Sequence, residues 1–126
     1  MDEGLIVPKL WGEEIYITNR IEYCSKWLYL SPGYVCSLHF HPQKTETFHV
    51  VAGVGVVVSG PISYRVQVGD TVHIHRGVRH CFATLTGMTL LEVSTHHEDS
   101  DVVRINESHA LTAEGDVELW KALIDA

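Results

Sequence analysis

The chain has 126 residues, of which 45% are hydrophobic and 20% charged, and its formal net charge at pH 7 is −7. These values fit a single folded domain and exclude a disordered chain. The acidic balance, without a Lys or Arg cluster to neutralise phosphates, excludes nucleic acid as a partner. The longest apolar run, Val50 to Val58, is too short to cross a membrane.

The cysteines and the first residues indicate the cellular compartment. Cys24, Cys36 and Cys81 are widely spaced and odd in number, which favours reduced thiols over a disulfide framework. We expect them to be buried as small apolar side chains, with a thiolate metal ligand as the alternative. The segment Met1 to Gly4 lacks the basic and apolar regions of a signal peptide, so we expect a cytoplasmic protein.

Short strands separated by Gly and Pro turns follow an N-terminal arm that is expected to pack a tryptophan, Trp11, on the body. This spacing is typical of an all-β sandwich or barrel and not of alternating βαβ units. Gly53 and Gly55 are predicted to bend the longest strand. The predicted strands cover residues 14–18, 21–30, 34–41, 46–58, 62–68, 71–75, 80–85 and 88–95.

Only the C-terminal segment departs from the strand pattern. Its apolar residues recur at helical spacing and predict a short amphipathic helix over residues 112–125, with Thr112 or Asp116 as the N-cap. We therefore predict one domain over residues 1–126, with a barrel core over 13–98.

A group of potential metal ligands lies around the turn at Pro42. His39 and His41 have a spacing of two and project from the same face of a strand, which Pro42 is expected to end. Glu46 opens the returning strand and can point back at both imidazoles. Nitrogen and carboxylate ligands suit a borderline divalent ion, namely Mn, Zn, Fe, Co or Ni. His80, in a second stretch, can supply a fourth ligand.

These residues resemble the two sequence motifs of the cupin family. The first motif is filled by Gly33, His39, His41, Glu46 and Gly53. The second is matched by Gly69, Gly77 and His80, while His75 replaces the usual proline and Thr84 the usual asparagine. The resemblance implies a double-stranded β-helix, a jelly-roll barrel, that holds one metal ion through His39, His41, Glu46 and His80.

The other histidines are expected to lie mostly outside this site. Strand alternation places His49 on the face opposite Glu46, whereas His73 and His75 share a parity and are candidates to join the site. We expect the remaining ones, His96, His97 and His109, at the surface. The alternative to a metal is that the inward imidazoles are satisfied by hydrogen bonds within the barrel wall, which would require several partners.

Four protein ligands on an octahedral ion leave two neighbouring positions for substrate oxygens. A sugar carbonyl and hydroxyl fit them, which suggests isomerisation or epimerisation of a sugar or sugar phosphate through an enediolate. Lys44 lies between the ligands, as does the catalytic lysine of the lyxose-isomerase branch of cupins, which this arrangement resembles. The alternative for Lys44 is a solvated turn residue.

Two further segments resemble type II mannose-6-phosphate isomerases, namely Trp11-Gly12-x-Glu14 and residues 91–104. Glu92 is a candidate acid or base, and Arg104 a candidate ligand for an anionic group of the substrate. Each has an ordinary sheet or surface residue as its alternative.

Other functions and the assembly state remain open at the level of sequence. The same ligands suit a non-haem iron dioxygenase, and the barrel also suits a non-catalytic module that binds a sugar. Aromatic residues near both ends, Trp11, Trp27 and Trp120, are expected to be exposed and, with the open strand edges, predict a homodimer.

Overall fold

The computed structural model describes residues 2–125, which form twelve antiparallel strands and one helix. The elements are β1 (Ile6–Lys9), β2 (Gly12–Asn19), β3 (Cys24–Leu30), β4 (Tyr34–Val35), β5 (His39–Phe40), β6 (Glu46–Ser59), β7 (Ile62–Gln67), β8 (Thr71–Ile74), β9 (His80–Thr84), β10 (Met88–Ser94), β11 (Val103–Arg104), β12 (His109–Ala110) and α1 (Val117–Ile124).

The strands form a curled antiparallel sheet whose two halves enclose the core, the all-β jelly-roll architecture expected from the sequence. The first half contains β1, β2, β3, β10 and β8 with the beginning of β6. The second half contains the end of β6 with β7, β9, β4, β12, β5 and β11. The strand β6 therefore belongs to both halves and joins them.

The predicted bend of β6 lies at Gly53. Gly53 has a φ of 79°, and the pairing of β6 with β10 shifts register between Thr89 and Leu90. A Cβ atom at Gly53 would lie 2.2 Å from the carbonyl oxygen of Gly87. Only glycine accommodates both the left-handed backbone and this close approach, so the sequence at this position allows β6 to pass from one half to the other.

The inward face of β3 carries a charged residue. Cys24, Lys26, Leu28 and Leu30 are buried, whereas the aromatic residues of β3 lie on the outward face. The predicted strand over 21–30 begins only at Cys24. The apolar part of the core includes the buried side chains of Phe48, Phe82 and Val56.

Two other predicted elements are shorter than expected. The strand over 34–41 is interrupted and yields β4 and β5, because the intervening backbone bonds to side chains: Ser37 N–H donates to Ser108 Oγ at 3.0 Å and Leu38 N–H to Asn106 Oδ1 at 2.7 Å. The C-terminal helix spans Val117–Ile124. Asp116 occupies its N-cap without a capping side-chain bond.

The expected exposure of Trp11 is wrong. Trp11 is 5% exposed and packs edge-on against Phe82 at a centroid separation of 5.0 Å, as the expected packing of the N-terminal arm requires. Trp27 and Trp120 are half-buried.

Over residues 2–125, no helix has the length and apolar character needed to span a bilayer.

Candidate metal centre

Three histidines converge at one end of the core. His39 of β5 and His80 of β9 are direct partners in the sheet, and His41 follows β5 by one residue. One nitrogen of each imidazole lies within 4.8 Å of the other two, which is the spacing of ligands around one ion. Glu46, at the start of β6, has its Oε2 3.2 Å from His41 Nε2 and 3.0 Å from His80 Nε2.

Backbone carbonyls fix the tautomer of each of these histidines. The Nδ1 atoms of His39, His41 and His80 donate to the carbonyls of residues 37, 101 and 78 at 2.7, 2.7 and 2.9 Å. Each Nε2 therefore carries a free electron pair that can bind a metal. Such outer hydrogen bonds are typical of metal-binding histidines, because they orient the ring and raise its basicity.

Two buried atoms in this cluster have no hydrogen bond in the described chain, Glu46 Oε2 and His80 Nε2. They lie 3.0 Å apart without hydrogen-bond geometry, and both present electron pairs. Leaving such atoms unsatisfied in the core costs free energy, which a divalent cation bound between them would offset. The residues present thus fit a borderline divalent metal.

The charges at the cluster also suit a cation. Burial would raise the pKa of Glu46, but the contacts with His41 and His80, which favour the carboxylate when Nε2 carries a proton, and the charge of Lys44 hold that pKa well below its usual range. Burial and the neighbouring imidazoles of His80 and His41 lower the pKa of His39 to about 4. At neutral pH the centre therefore offers a carboxylate and an uncharged His39 imidazole.

Asp101 holds the segment between the ligands in place. Its carboxylate accepts the backbone N–H of Gln43 at 3.0 Å and of Lys44 at 2.9 Å, while its own carbonyl accepts His41 Nδ1. Asp101 was not predicted from the sequence, because it lies 60 residues from His41 along the chain. It positions both a candidate ligand and the predicted catalytic lysine.

Lys44 is buried and not a solvated turn residue. Its Nζ donates to Glu92 Oε2 at 3.2 Å and lies 3.7 Å from Glu46 Oε1. Burial lowers the pKa of Lys44, but the charges of Glu92 and Glu46 outweigh that effect, and the pKa is raised. The structure thus brings both predicted catalytic residues together beside the candidate ligands.

These side chains line a cavity of about 400 Å³. Its wall includes His39, His41 and Glu46 together with Lys44 and Glu92, and apolar residues of the N-terminal arm also contribute to it. Arg104 lines the cavity too, and β11 places it opposite His39 in the sheet. A volume of this size accommodates a small organic molecule.

Lys26 and Tyr16 also line the cavity, and neither was predicted from the sequence. Lys26 is 1% exposed, its Nζ lies 3.2 Å from Glu14 Oε1, and it lies over the ring of Tyr16 at 4.6 Å from the centroid. Burial lowers the pKa of Lys26, but the charges of Glu92 and Glu14 raise it overall. A charged residue at an inward position of an alternating strand was the available signal for Lys26.

The expected surface position of His97 is wrong. Its Nδ1 accepts from Lys44 Nζ at 3.0 Å, and its Nε2 donates to Asp99 Oδ1 at 2.9 Å. Burial and the nearby charges of Lys26 and Lys44 lower the pKa of His97.

The remaining histidines lie outside the site. His73 bonds to Thr47 and His49 to Thr71 through their side chains at 2.8 Å, and both pairs lie on the outward face of β6 and β8. His75 is exposed. Neither His73 nor His75 therefore joins the candidate ligands.

Comparison with known protein families agrees with this architecture. The model of the Cupin domain matches residues 26–95, more than half of the chain. The chain belongs to the cupin family. No curated protein matches this cupin.

Several solved structures share the fold. KdgF from Halomonas sp. has a TM-score of 0.65 at 16% identity, over 70% of this cupin and 81% of that chain. A Streptomyces PAC13 variant solved with uridine has a TM-score of 0.73 at 12% identity, over 83% and 87%. Oxalate decarboxylase from Bacillus subtilis has a TM-score of 0.74 at 19% identity, but this cupin covers only 30% of its length. These likenesses show the fold alone.

Proposed function

We propose that this cupin is a metal-dependent isomerase or epimerase that acts on a sugar or sugar phosphate through an enediolate. The observation that carries the proposal is the buried pair of Lys44 and Glu92 next to Glu46. A pre-positioned acid and base beside a metal centre is what proton transfer between neighbouring carbons requires.

We assign His39, His41, Glu46 and His80 as the ligands of one divalent ion. When bound, this ion supplies a Lewis acid that polarises the substrate carbonyl. The side chains of the protein itself carry out the proton transfers of the reaction.

Lys44 and Glu92 divide the proton transfer between them. Because the pKa of Lys44 is raised, its ammonium stays charged near neutral pH and acts as the donor towards a substrate oxygen. The Glu92 carboxylate takes the proton from the carbon next to the carbonyl and, after exchange with solvent, delivers a proton to the former carbonyl carbon. Lys44 regains its proton from the hydroxyl group of the carbon that becomes the new carbonyl. In the net isomerisation one hydrogen moves between the two carbons and one between the two oxygens, and no oxidant is needed. Arg104, at the cavity wall, is available for an anionic group of the substrate.

The test uses metal-free protein that is loaded with Mn²⁺, Co²⁺ or Zn²⁺ under nitrogen and incubated with free aldoses, ketoses and their phosphates in D₂O. We expect isomerised product that carries deuterium from the solvent. Lys44→Met and Glu92→Gln should each lower kcat by roughly 10²- to 10⁴-fold. The exposed residues Lys121 and Glu98 provide matched controls, Lys121→Met and Glu98→Gln, that should leave kcat unchanged.

Two outcomes would contradict this proposal in favour of the alternatives. Oxygen consumption by the iron-loaded protein, without isomerisation, would indicate a dioxygenase. A sugar-dependent rise in the melting temperature, without product under either condition, would indicate a binding module.

We further propose that the protein is a cytoplasmic homodimer. All three cysteines are free and buried, as a reducing compartment favours. The outward face of the first half of the sheet exposes Tyr29, Val51 and Val93, which a second copy would cover. Sedimentation as a monomer at micromolar concentration would contradict the dimer.

A further inference from the structure

A row of polar side chains crosses the first half of the sheet on its inner face. Tyr16 of β2 is the direct partner of Lys26 on β3, and Lys26 is the direct partner of Glu92 on β10. All three line the cavity, as does Glu14, two residues before Tyr16 on the same face of β2. The cavity therefore has a polar wall beyond the candidate metal ligands.

The charges on this wall already compensate one another. Lys26 Nζ lies 3.2 Å from Glu14 Oε1, and Lys44 Nζ lies 3.2 Å from Glu92 Oε2. Acidic and basic groups thus alternate from Glu14 through Lys26 and Glu92 to Lys44. Because an unpaired charge in a buried site is costly, a charged ligand group here would lack a counter-charge.

An uncharged group that both donates and accepts hydrogen bonds meets no such cost. The Lys26 ammonium carries three N–H donors, and one of them is directed to Glu14, so donor capacity remains for a ligand. The Glu14 carboxylate adds acceptor oxygens, and the phenol of Tyr16 can do both. A hydroxyl group, unlike a phosphate or a hydrocarbon, uses both kinds of partner.

We propose that Glu14, Tyr16 and Lys26 form a subsite that binds the uncharged, hydroxylated end of a polyhydroxy substrate. The inference rests on the proposed function for the reacting end, which lies at the metal centre. It adds that the end bound by this polar wall carries hydroxyl groups and no phosphate.

The test measures binding without turnover, by titration calorimetry of the zinc-loaded protein with xylitol, sorbitol and sorbitol 6-phosphate. These probes contain no carbonyl and cannot be isomerised. We expect the free polyols to bind, and Tyr16→Phe and Lys26→Met each to weaken binding by roughly tenfold to a hundredfold. The outward-facing Tyr29 and the exposed Lys121 provide matched controls, Tyr29→Phe and Lys121→Met, with unchanged affinity. Zinc content should be the same in all variants.

Three results would overturn the subsite. The first is that the unaltered protein binds no polyol. The second is that the unaltered protein and Tyr16→Phe bind the polyols with equal affinity. The third is that sorbitol 6-phosphate binds more tightly than sorbitol and that Lys26→Met removes this difference. If Lys26→Met does not fold, Tyr16→Phe alone decides, because it keeps the ring.

The subsite and the isomerase proposal can fail separately. Polyol binding that depends on Tyr16 and Lys26, without isomerised product from any sugar, would retain the subsite and contradict the isomerase. Isomerisation with an unchanged KM in Tyr16→Phe and Lys26→Met would retain the isomerase proposal and contradict the subsite.

Discussion

Lys44 Nζ lies 3.2 Å from Glu92 Oε2, and each of the two residues is only 3% exposed. The pair joins the segment between the candidate ligands to the central strand β10, so both charged groups are held in position before a substrate arrives. Removing one member of a buried pair leaves the other charge uncompensated, whereas removing both does not.

We therefore expect Lys44→Met to lower the free energy of unfolding by about 3 kcal/mol. The double variant Lys44→Met/Glu92→Leu should recover part of that loss, because Glu92 no longer remains as an unpaired charge, although Glu46 still lacks the charge of Lys44. Urea denaturation of the metal-free proteins measures both values, and the exposed Lys121→Met serves as the control. A double variant that is less stable than the single one would contradict the expectation.

Replacing Glu46 by Gln should weaken metal binding. The substitution keeps the shape of the side chain but removes the negative charge of an oxygen 3.0 Å from His80 Nε2. We expect the affinity for Zn²⁺ or Mn²⁺ to fall at least about tenfold, as changes around metal ligands typically produce. Elemental analysis and competition with a chelator measure this effect. Unchanged metal uptake would remove Glu46 from the ligand set.

Asp101→Ala should weaken metal binding without removing a ligand. The backbone N–H groups of Gln43 and Lys44 would lose their acceptor, and the segment that follows His41 would loosen. We expect a loss of about tenfold to a hundredfold in metal affinity. Asp70→Ala is a matched control, since Asp70 accepts the N–H of Gln67 in a turn that contributes nothing to the cavity. Equal metal affinities in the two variants would argue against a positioning role for Asp101.

The stability of the metal-free protein should depend on His39 in mildly acidic solution. Its pKa is lowered from 6.5 to about 4, so between these values the unfolded chain binds a proton that the folded chain does not. Stability is therefore full above pH 6.5 and falls as the pH decreases to 4, by up to about 3 kcal/mol for the whole shift. Urea denaturation at several pH values should show a flatter profile for His39→Asn than for the unaltered protein. The same slope in both would exclude His39 as its source.

Gly53→Ala should destabilise the barrel more than Gly69→Ala. Both glycines have positive φ, 79° and 94°, but an added Cβ meets the Gly87 oxygen at 2.2 Å only at Gly53 and meets nothing within 4 Å at Gly69. The backbone strain alone costs roughly 1–2 kcal/mol, so Gly69→Ala should lose about this amount and Gly53→Ala distinctly more. Denaturant midpoints measure the difference, and equal losses would mean that the close approach is relieved elsewhere.

The ligand cluster was the part of the site that the sequence predicted best. The spacing of His39 and His41, the turn at Pro42 and the returning Glu46 are local features, and strand periodicity converts them directly into positions in space. His80 needed the family resemblance, because its approach to His39 depends on the pairing of β5 with β9. The assignment of these residues as ligands stays a prediction.

Lys26 and His97 show why the rest of the site was not predictable. Alternation along β3 separates two faces, but a buried lysine is tolerated only because Glu14 and Glu92 approach it from other strands. His97 lies beyond the last long strand, and its approach to Lys44 depends on hydrogen bonds that its backbone makes with Asn19. Both contacts are between residues distant in sequence; the inward position of Lys26 on β3 was a local signal for its burial, but nothing local indicated its partners.

The cavity wall combines residues from the segment that matches the Cupin domain with residues from outside it. Residues 26–95, which match the family, contain the candidate metal ligands, Lys44 and Glu92. Glu14, Tyr16, His97 and Arg104 reach the same cavity from outside that segment. Substitutions in these flanks can therefore change which molecule such a barrel accepts while the segment with the candidate ligands stays intact. Exchanging the flanks between two cupins should transfer selectivity without altering the candidate metal centre.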